Sequence, residues 1–115
     1  METAQMLAHA TTFTFAPSGT DWADPDNRHF RVKAEWRGGD RWVVRHSLDL
    51  WNGTRWEDEP MNSSQGHAFR RRTRFTRDQA CALAQELADT VELDGCVWVD
   101  WKARRDAARA AAGKL

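Results

Sequence analysis

The chain has 115 residues, of which 41% are hydrophobic and 30% charged, with 17 basic and 17 acidic side chains. That is the size of one domain with enough apolar content for one packed core, which excludes wholesale disorder. A net charge of zero excludes a simple polybasic nucleic-acid binder, and the lack of any run of about 18 apolar residues excludes a membrane-spanning helix.

Residues Met1 to Asn27 read as an N-terminal arm followed by a loop. Thr12-Phe13-Thr14-Phe15 alternates over an edge strand from Thr11 to Ala16, and a turn-rich acidic stretch then runs through Asp21, Asp24, Pro25 and Asp26. From His29 the alternation strengthens: Phe30, Val32, Ala34 and Trp36 fall on one side, and Arg31, Lys33, Glu35 and Arg37 on the other, as in a half-buried strand. Gly38-Gly39 supplies a tight hairpin. Arg41 to Trp51 reads as a second strand with Trp42, Val44, Leu48 and Leu50 inward, and Asn52-Gly53 turns the chain into a third through Trp56, completing an antiparallel meander.

Asp58 to His67 is polar and reads as a loop. Ala68 to Phe75 alternates again, with Phe69, Thr73 and Phe75 against Arg70, Arg72 and Arg74, and this predicts a fourth strand. Thr76 and Gln79 form a capping box for a helix. Ala80, Leu83, Ala84, Leu87 and Val91 recur at helical spacing behind it until Asp94-Gly95 stops them. Cys96 to Val99 predicts a short fifth strand, with a continuous helix from Val97 as the competing reading, and Trp101 to Ala112 should be helical until Gly113. The expected fold is α+β in a single domain over 1–115: arm and loop 1–27, strands 28–75, helix 76–94, short strand and C-terminal helix 96–115. Its sheet is four- to five-stranded and mainly antiparallel, with one amphipathic helix on a face.

Charge is segregated along the chain. Residues 28–77 carry twelve basic and six acidic side chains, 78–101 six acids and no base, and 102–115 five bases and one acid. On the meander, Arg31, Lys33, Arg37, Arg41 and Arg45, with Arg70, Arg72 and Arg74 from the fourth strand, should form a solvent-facing cationic surface opposite the helix. Guanidinium groups beside aromatic rings suit phosphate and base contacts, although Glu35 and Asp49 partly neutralise the surface. Seven tryptophans exceed what so small a core can enclose. Trp36, Trp42, Trp56 and Trp98 are expected in the core, and Trp51 and Trp22 exposed as interface anchors.

Catalytic readings find little support. Ser63, Ser64 and His67 cluster in a loop without an announced oxyanion hole. Cys81 and Cys96 have neither redox nor zinc spacing and are expected as free, mostly buried thiols. His46 and His67 do not complete a metal site with them, and the aspartates at 21, 24 and 26 lack the glycine of a calcium loop. No cofactor or metal is expected. Met1 to Ala10 has no signal-peptide character, which points to the cytoplasm and makes Asn52-Gly53-Thr54 and Asn62-Ser63-Ser64 accidental glycosylation matches.

Three strands followed by a helix, over roughly His29 to Leu93, resemble in outline the sheet-reading DNA-binding domains at the N-termini of phage integrases. The stretch Trp56-Glu57-Asp58-Glu59-Pro60-Met61-Asn62-Ser63-Ser64, then Phe69 through Arg74-Phe75-Thr76 and the Ala-rich helix to Gly95, is similar to small uncharacterised proteins of actinobacteria and their phages. That resemblance spans about half the chain and implies a phage context rather than an activity. The expected function is non-enzymatic: an accessory protein that modulates a host or phage protein through its Arg and Trp surface. Direct DNA or RNA binding through the same face is the alternative, and a homodimer a further option.

Overall fold

The computed structural model describes residues 10–61 and 64–113. Five strands, β1 (Thr12–Phe15), β2 (Val32–Trp36), β3 (Trp42–His46), β4 (Asp49–Trp51) and β5 (Trp56–Asp58), form one antiparallel sheet in the order β1-β2-β3-β4-β5. Three helices follow: α1 (His67–Thr73), α2 (Arg77–Ala88) and α3 (Trp98–Gly113). A 3-10 turn, Pro25–Phe30, precedes β2, capped by the Asp24 carboxylate on the Asp26 N–H. The expected α+β class, the antiparallel meander and the C-terminal helix are all present.

The strand register decides which side chains share a face. Ala34 sits opposite Val44, Trp36 opposite Trp42 and Phe13 opposite Ala34, whereas Glu35 sits opposite Val43, Lys33 opposite Arg45 and Leu50 opposite both Arg45 and Glu57. The first set faces α2. Thr76 caps that helix through the expected reciprocal box with Gln79, and Ala80, Ala84, Leu87 and Ala88 bring a small-residue stripe against Phe30, Val32, Ala34, Trp42 and Val44. Small helix residues let the helix approach the sheet closely, while the larger side chains of the strands fill the space between. The helix ends at Ala88 rather than near Val91, because Asp89 and Thr90 turn back on Glu86 and Leu87; Val91 is still buried.

Several expectations are corrected. The stretch from Arg41 to Trp51 is two strands joined at Ser47-Leu48, with Ser47 at φ 56°; Leu48 therefore points outward, 76% exposed. The turn also shifts the pairing by one face, so Leu50 joins Val43 and Phe69 in a second apolar cluster instead of facing inward with Val44. Ala68 to Phe75 is not a strand. Phe69 and Thr73, four residues apart, both point to the sheet on one side of α1, and the Thr73 hydroxyl donates to the Phe69 carbonyl at 2.8 Å. Only Phe75 pairs with the sheet, exchanging backbone hydrogen bonds with Trp42 at 2.8 Å in each direction.

Cys96 to Val99 forms no strand either, and the competing helical reading holds. Asp94 (φ 53°) and Gly95 (φ 78°) make a two-residue turn between Leu93 and Cys96, after which α3 begins at Trp98. Both thiols are free, Cys96 buried and Cys81 half-buried. The expected arm from Met1 to His9 and the residues Asn62 and Ser63 lie outside the described residues.

Candidate binding surface

The face of the sheet turned away from α2 was expected to be bare and cationic. It is neither. α1 lies across it through Phe69, and around that contact the arginines meet carboxylates of the same chain. Arg37 donates to Glu59 at 2.6 and 3.0 Å, and Arg45 to Glu59 at 2.7 Å and Glu35 at 3.0 Å. Arg72 forks onto Glu57. Arg74 donates to Thr73 at 2.9 Å and Gln65 at 3.3 Å. The Arg37 hydrogen bonds hold the Glu59 carboxyl below its ordinary range, and those of Arg72 and then Asn52 hold Glu57 down to about 2. Burial pushes the Arg74 guanidinium down. Partly buried pairs of this kind fix a local arrangement more than they attract a ligand.

Arg28, Arg31 and Lys33 are different, having no ion pair among the described residues. Arg28 lies within the 3-10 turn and Arg31 caps its end, and the three-residue repeat sets them on one side. Arg31 is aimed by Asn27, which is fully buried: the Asn27 amide donates to the Asp21 carbonyl at 2.8 Å, and its oxygen accepts from Arg31 Nε at 2.7 Å. The guanidinium lies over the Trp22 ring, 4.6 Å from its centroid, and Trp22 is 54% exposed as expected. Beside this pair opens a cleft of about 580 Å³, lined by Thr14, Arg28, Arg31, Lys33, His46 and Glu92 among others. One wall is set by His46, whose Nε2 donates to the His29 carbonyl at 2.8 Å.

The other residues of the expected surface are scattered. Trp51 is not exposed: it packs edge-on against Trp56 at 5.3 Å, with its indole N–H buried and without an acceptor among the described residues. Arg41 sits in the Gly38-Gly39 hairpin, and Arg70 projects from the solvent side of α1. Trp36, expected in the core, is 46% exposed, because its strand runs past the end of α2; its indole N–H donates to the Gly39 carbonyl at 2.8 Å. It lines a second cleft, of about 690 Å³, with Asp40, Trp42, Thr76, Arg77 and Asp78. Trp42 and Trp98 are core residues, and Trp56 is half-buried.

Arg28 and His46 belong to the cleft; Arg28 was not among the surface residues expected from sequence, and His46 was weighed there only as a metal ligand. Arg28 stands three residues after Pro25 and three before Arg31, so a 3-10 turn opened by that proline is the signal that could have found it. His46 carried no signal, since the turn at Ser47 that aims it was itself not foreseen. Of the Ser63, Ser64 and His67 cluster, Ser63 lies outside the described residues, and the described residues hold no grouping of three His, Cys, Asp or Glu side chains fit for a metal ion. No described helix is long and apolar enough to cross a membrane. What fold and surface define together is an α+β meander domain whose described surface includes a compact cationic and aromatic patch; Arg41, Arg55, Arg70, Arg71 and Arg104 likewise have no ion pair among the described residues. Comparison with known proteins finds no matching family model, no matching curated protein and no matching solved structure.

Proposed function

We propose that the chain is a non-enzymatic accessory protein that binds another protein, docking an acidic segment of it along Arg28, Arg31 and Lys33 with Trp22 as the anchor. The observation carrying this reading is the contrast between those three cations and Arg37, Arg45 and Arg72, which the chain's own glutamates neutralise. A duplex-binding surface commonly engages six to ten phosphates. A patch of about three free cations beside one exposed tryptophan has instead the composition of a protein hot spot. The Arg31–Trp22 stack is already formed, so little side-chain entropy remains to be lost on docking. The resemblance of the stretch from roughly Asp49 to Gly95 to small actinobacterial and actinophage proteins is the ground for proposing a phage origin and a partner in the host cytoplasm.

Affinity purification from such a host, followed by mass spectrometry, tests this. Trp22→Ala and Lys33→Glu should each lower partner capture at least about tenfold, a hot-spot loss, while leaving the circular dichroism spectrum native. Capture that survives both changes refutes the site. Retardation of DNA or RNA at low salt that weakens steeply as salt rises would transfer the patch to nucleic acid.

A further inference from the structure

β1 is one of the two edges of the sheet. Its pairing with β2 fixes which of its backbone groups face outward. The Trp36 N–H donates to the Thr11 carbonyl at 2.9 Å. In the register Thr12↔Glu35, Phe13↔Ala34, Thr14↔Lys33 and Phe15↔Val32, residues 11, 13 and 15 therefore exchange hydrogen bonds with β2, and the N–H and C=O groups of Thr12 and Thr14 point away from it. No described strand pairs with that side.

The sequence treats the two edges differently. β5 is three residues long and two of them, Glu57 and Asp58, are acidic, which blunts an edge against further pairing. From Thr11 to Ala16 there is no charge, no proline and no glycine, and Thr-Phe-Thr-Phe is a run of strong strand formers. Within this stretch, charge and proline, two of the usual protective devices, are absent.

We propose that β1 is a dimerisation edge, pairing antiparallel with β1 of a second copy of this chain about a two-fold axis beside Phe13. A second copy fits because the strand is complementary to itself. With the axis perpendicular to the sheet, both faces stay continuous across the seam. Thr12 of each copy lies opposite Thr14 of the other, exchanging two reciprocal pairs of backbone hydrogen bonds, and Phe13 meets Phe13 on the side that α2 covers. Thr–Thr and aromatic pairs are favoured cross-strand neighbours. Phe13 is half-buried on its own, its ring 5.7 Å from Trp42, and pairing covers the rest. A slip of one residue would set Thr against Phe and interchange the faces, so the register is specified. The dimer has a consequence for the cationic cleft, which has Thr14 as a wall and Lys33 beside it. Three strand spacings of roughly 4.8 Å and an offset of two residues along the strand set the two Lys33 positions roughly 16 Å apart, giving two adjacent clefts and a bivalent grip on a partner. The pairing itself does not depend on what occupies them.

Sedimentation equilibrium of the full chain over a wide concentration range tests the proposal. The weight-average mass should rise from 13.2 kDa toward twice that value. Thr14→Pro removes the outward N–H and spares the β1–β2 ladder; it should remain monomeric throughout, with the melting temperature of the native chain at the dilution where that chain is itself monomeric. Phe13→Cys should cross-link between copies under mild oxidation, whereas Leu48→Cys, at a remote exposed turn, should not. A chain monomeric at its highest concentration, or a dimer undiminished by Thr14→Pro, overturns the proposal. Should Thr14→Pro fail to fold, absence of the Phe13→Cys cross-link overturns it instead.

Discussion

Asn27 shows how much a single buried polar side chain organises here. It accepts from Arg31 and donates to the Asp21 carbonyl, so one amide ties the acidic loop to the start of β2 and sets the guanidinium against Trp22. Asp49 works in the opposite sense. It faces Asp58 across β4 and β5, and their carboxyl hydrogen bond, helped by burial, raises its pKa while His46 opposes the rise. A carboxyl with a raised folded pKa contributes stability fully present below its unfolded value near 3.8, and lost as pH climbs through the folded one. At neutral pH the ionised pair is therefore a strain. Asp49→Asn should raise the neutral-pH melting temperature, by less than about 1 kcal/mol of stability, with the gain disappearing on acidification. Glu57 has the reverse dependence: its folded pKa is near 2, so its contribution is present above about 4.5 and fades as pH falls toward 2. Melting temperatures of Asp49→Asn, Glu57→Gln and the native chain across pH separate the two signs.

Among the elements, α1 is where local pattern and tertiary environment diverge. Phe69, Thr73 and Phe75 with Arg70, Arg72 and Arg74 satisfy a two-residue period, yet positions 69 and 73 also satisfy a helical one, because an even spacing of four belongs to both. The choice is made by Val43 and Leu50, which present an apolar patch that one turn of helix can cover with Phe69. Arg70, Arg71 and Arg72 in the last turn suit the negative end of the helix dipole. Phe69→Ala should cost about 3 to 5 kcal/mol in urea unfolding and release the Arg72–Glu57 contact along with α1. A cost below about 1 kcal/mol would mean that α1 is not anchored by this ring.

The whole molecule brings together the charge blocks that the chain keeps apart. Arg105 on α3 donates to Asp24 and Asp26 at 2.8 Å each, and lies 5.6 Å from the rings of Trp98 and Trp101, which pack on Phe30 at 5.4 and 5.8 Å. The acidic N-terminal loop and the basic C-terminal helix thus neutralise each other beside the 3-10 turn that carries Arg28. Arg105→Met keeps the packing stem and deletes the charge. Hydrogen exchange should accelerate through residues 21–30 and stay unchanged in α2; unaltered protection of the loop would show that Trp98 and Trp101 suffice to hold it.

The capping box at Thr76, the small-residue stripe of α2, the Gly38-Gly39 and Asn52-Gly53 turns and the alternation from Phe30 to Ala34 were legible in sequence, because each depends on neighbours within a turn or two. What required the tertiary structure was pairing across distance. The turn at Ser47-Leu48 depends on β4 finding β3, and the helical state of 67–73 on an apolar patch made by two other strands. The fate of each arginine depends on which glutamate the fold brings within reach. Trp22 was correctly expected in solvent, but Trp51 and Trp36 exchanged places, since exposure at a strand end is decided by where the covering helix stops. Local order follows from short-range sterics and hydrogen bonding, whereas the candidate surface is what remains after long-range contacts have neutralised or covered the rest.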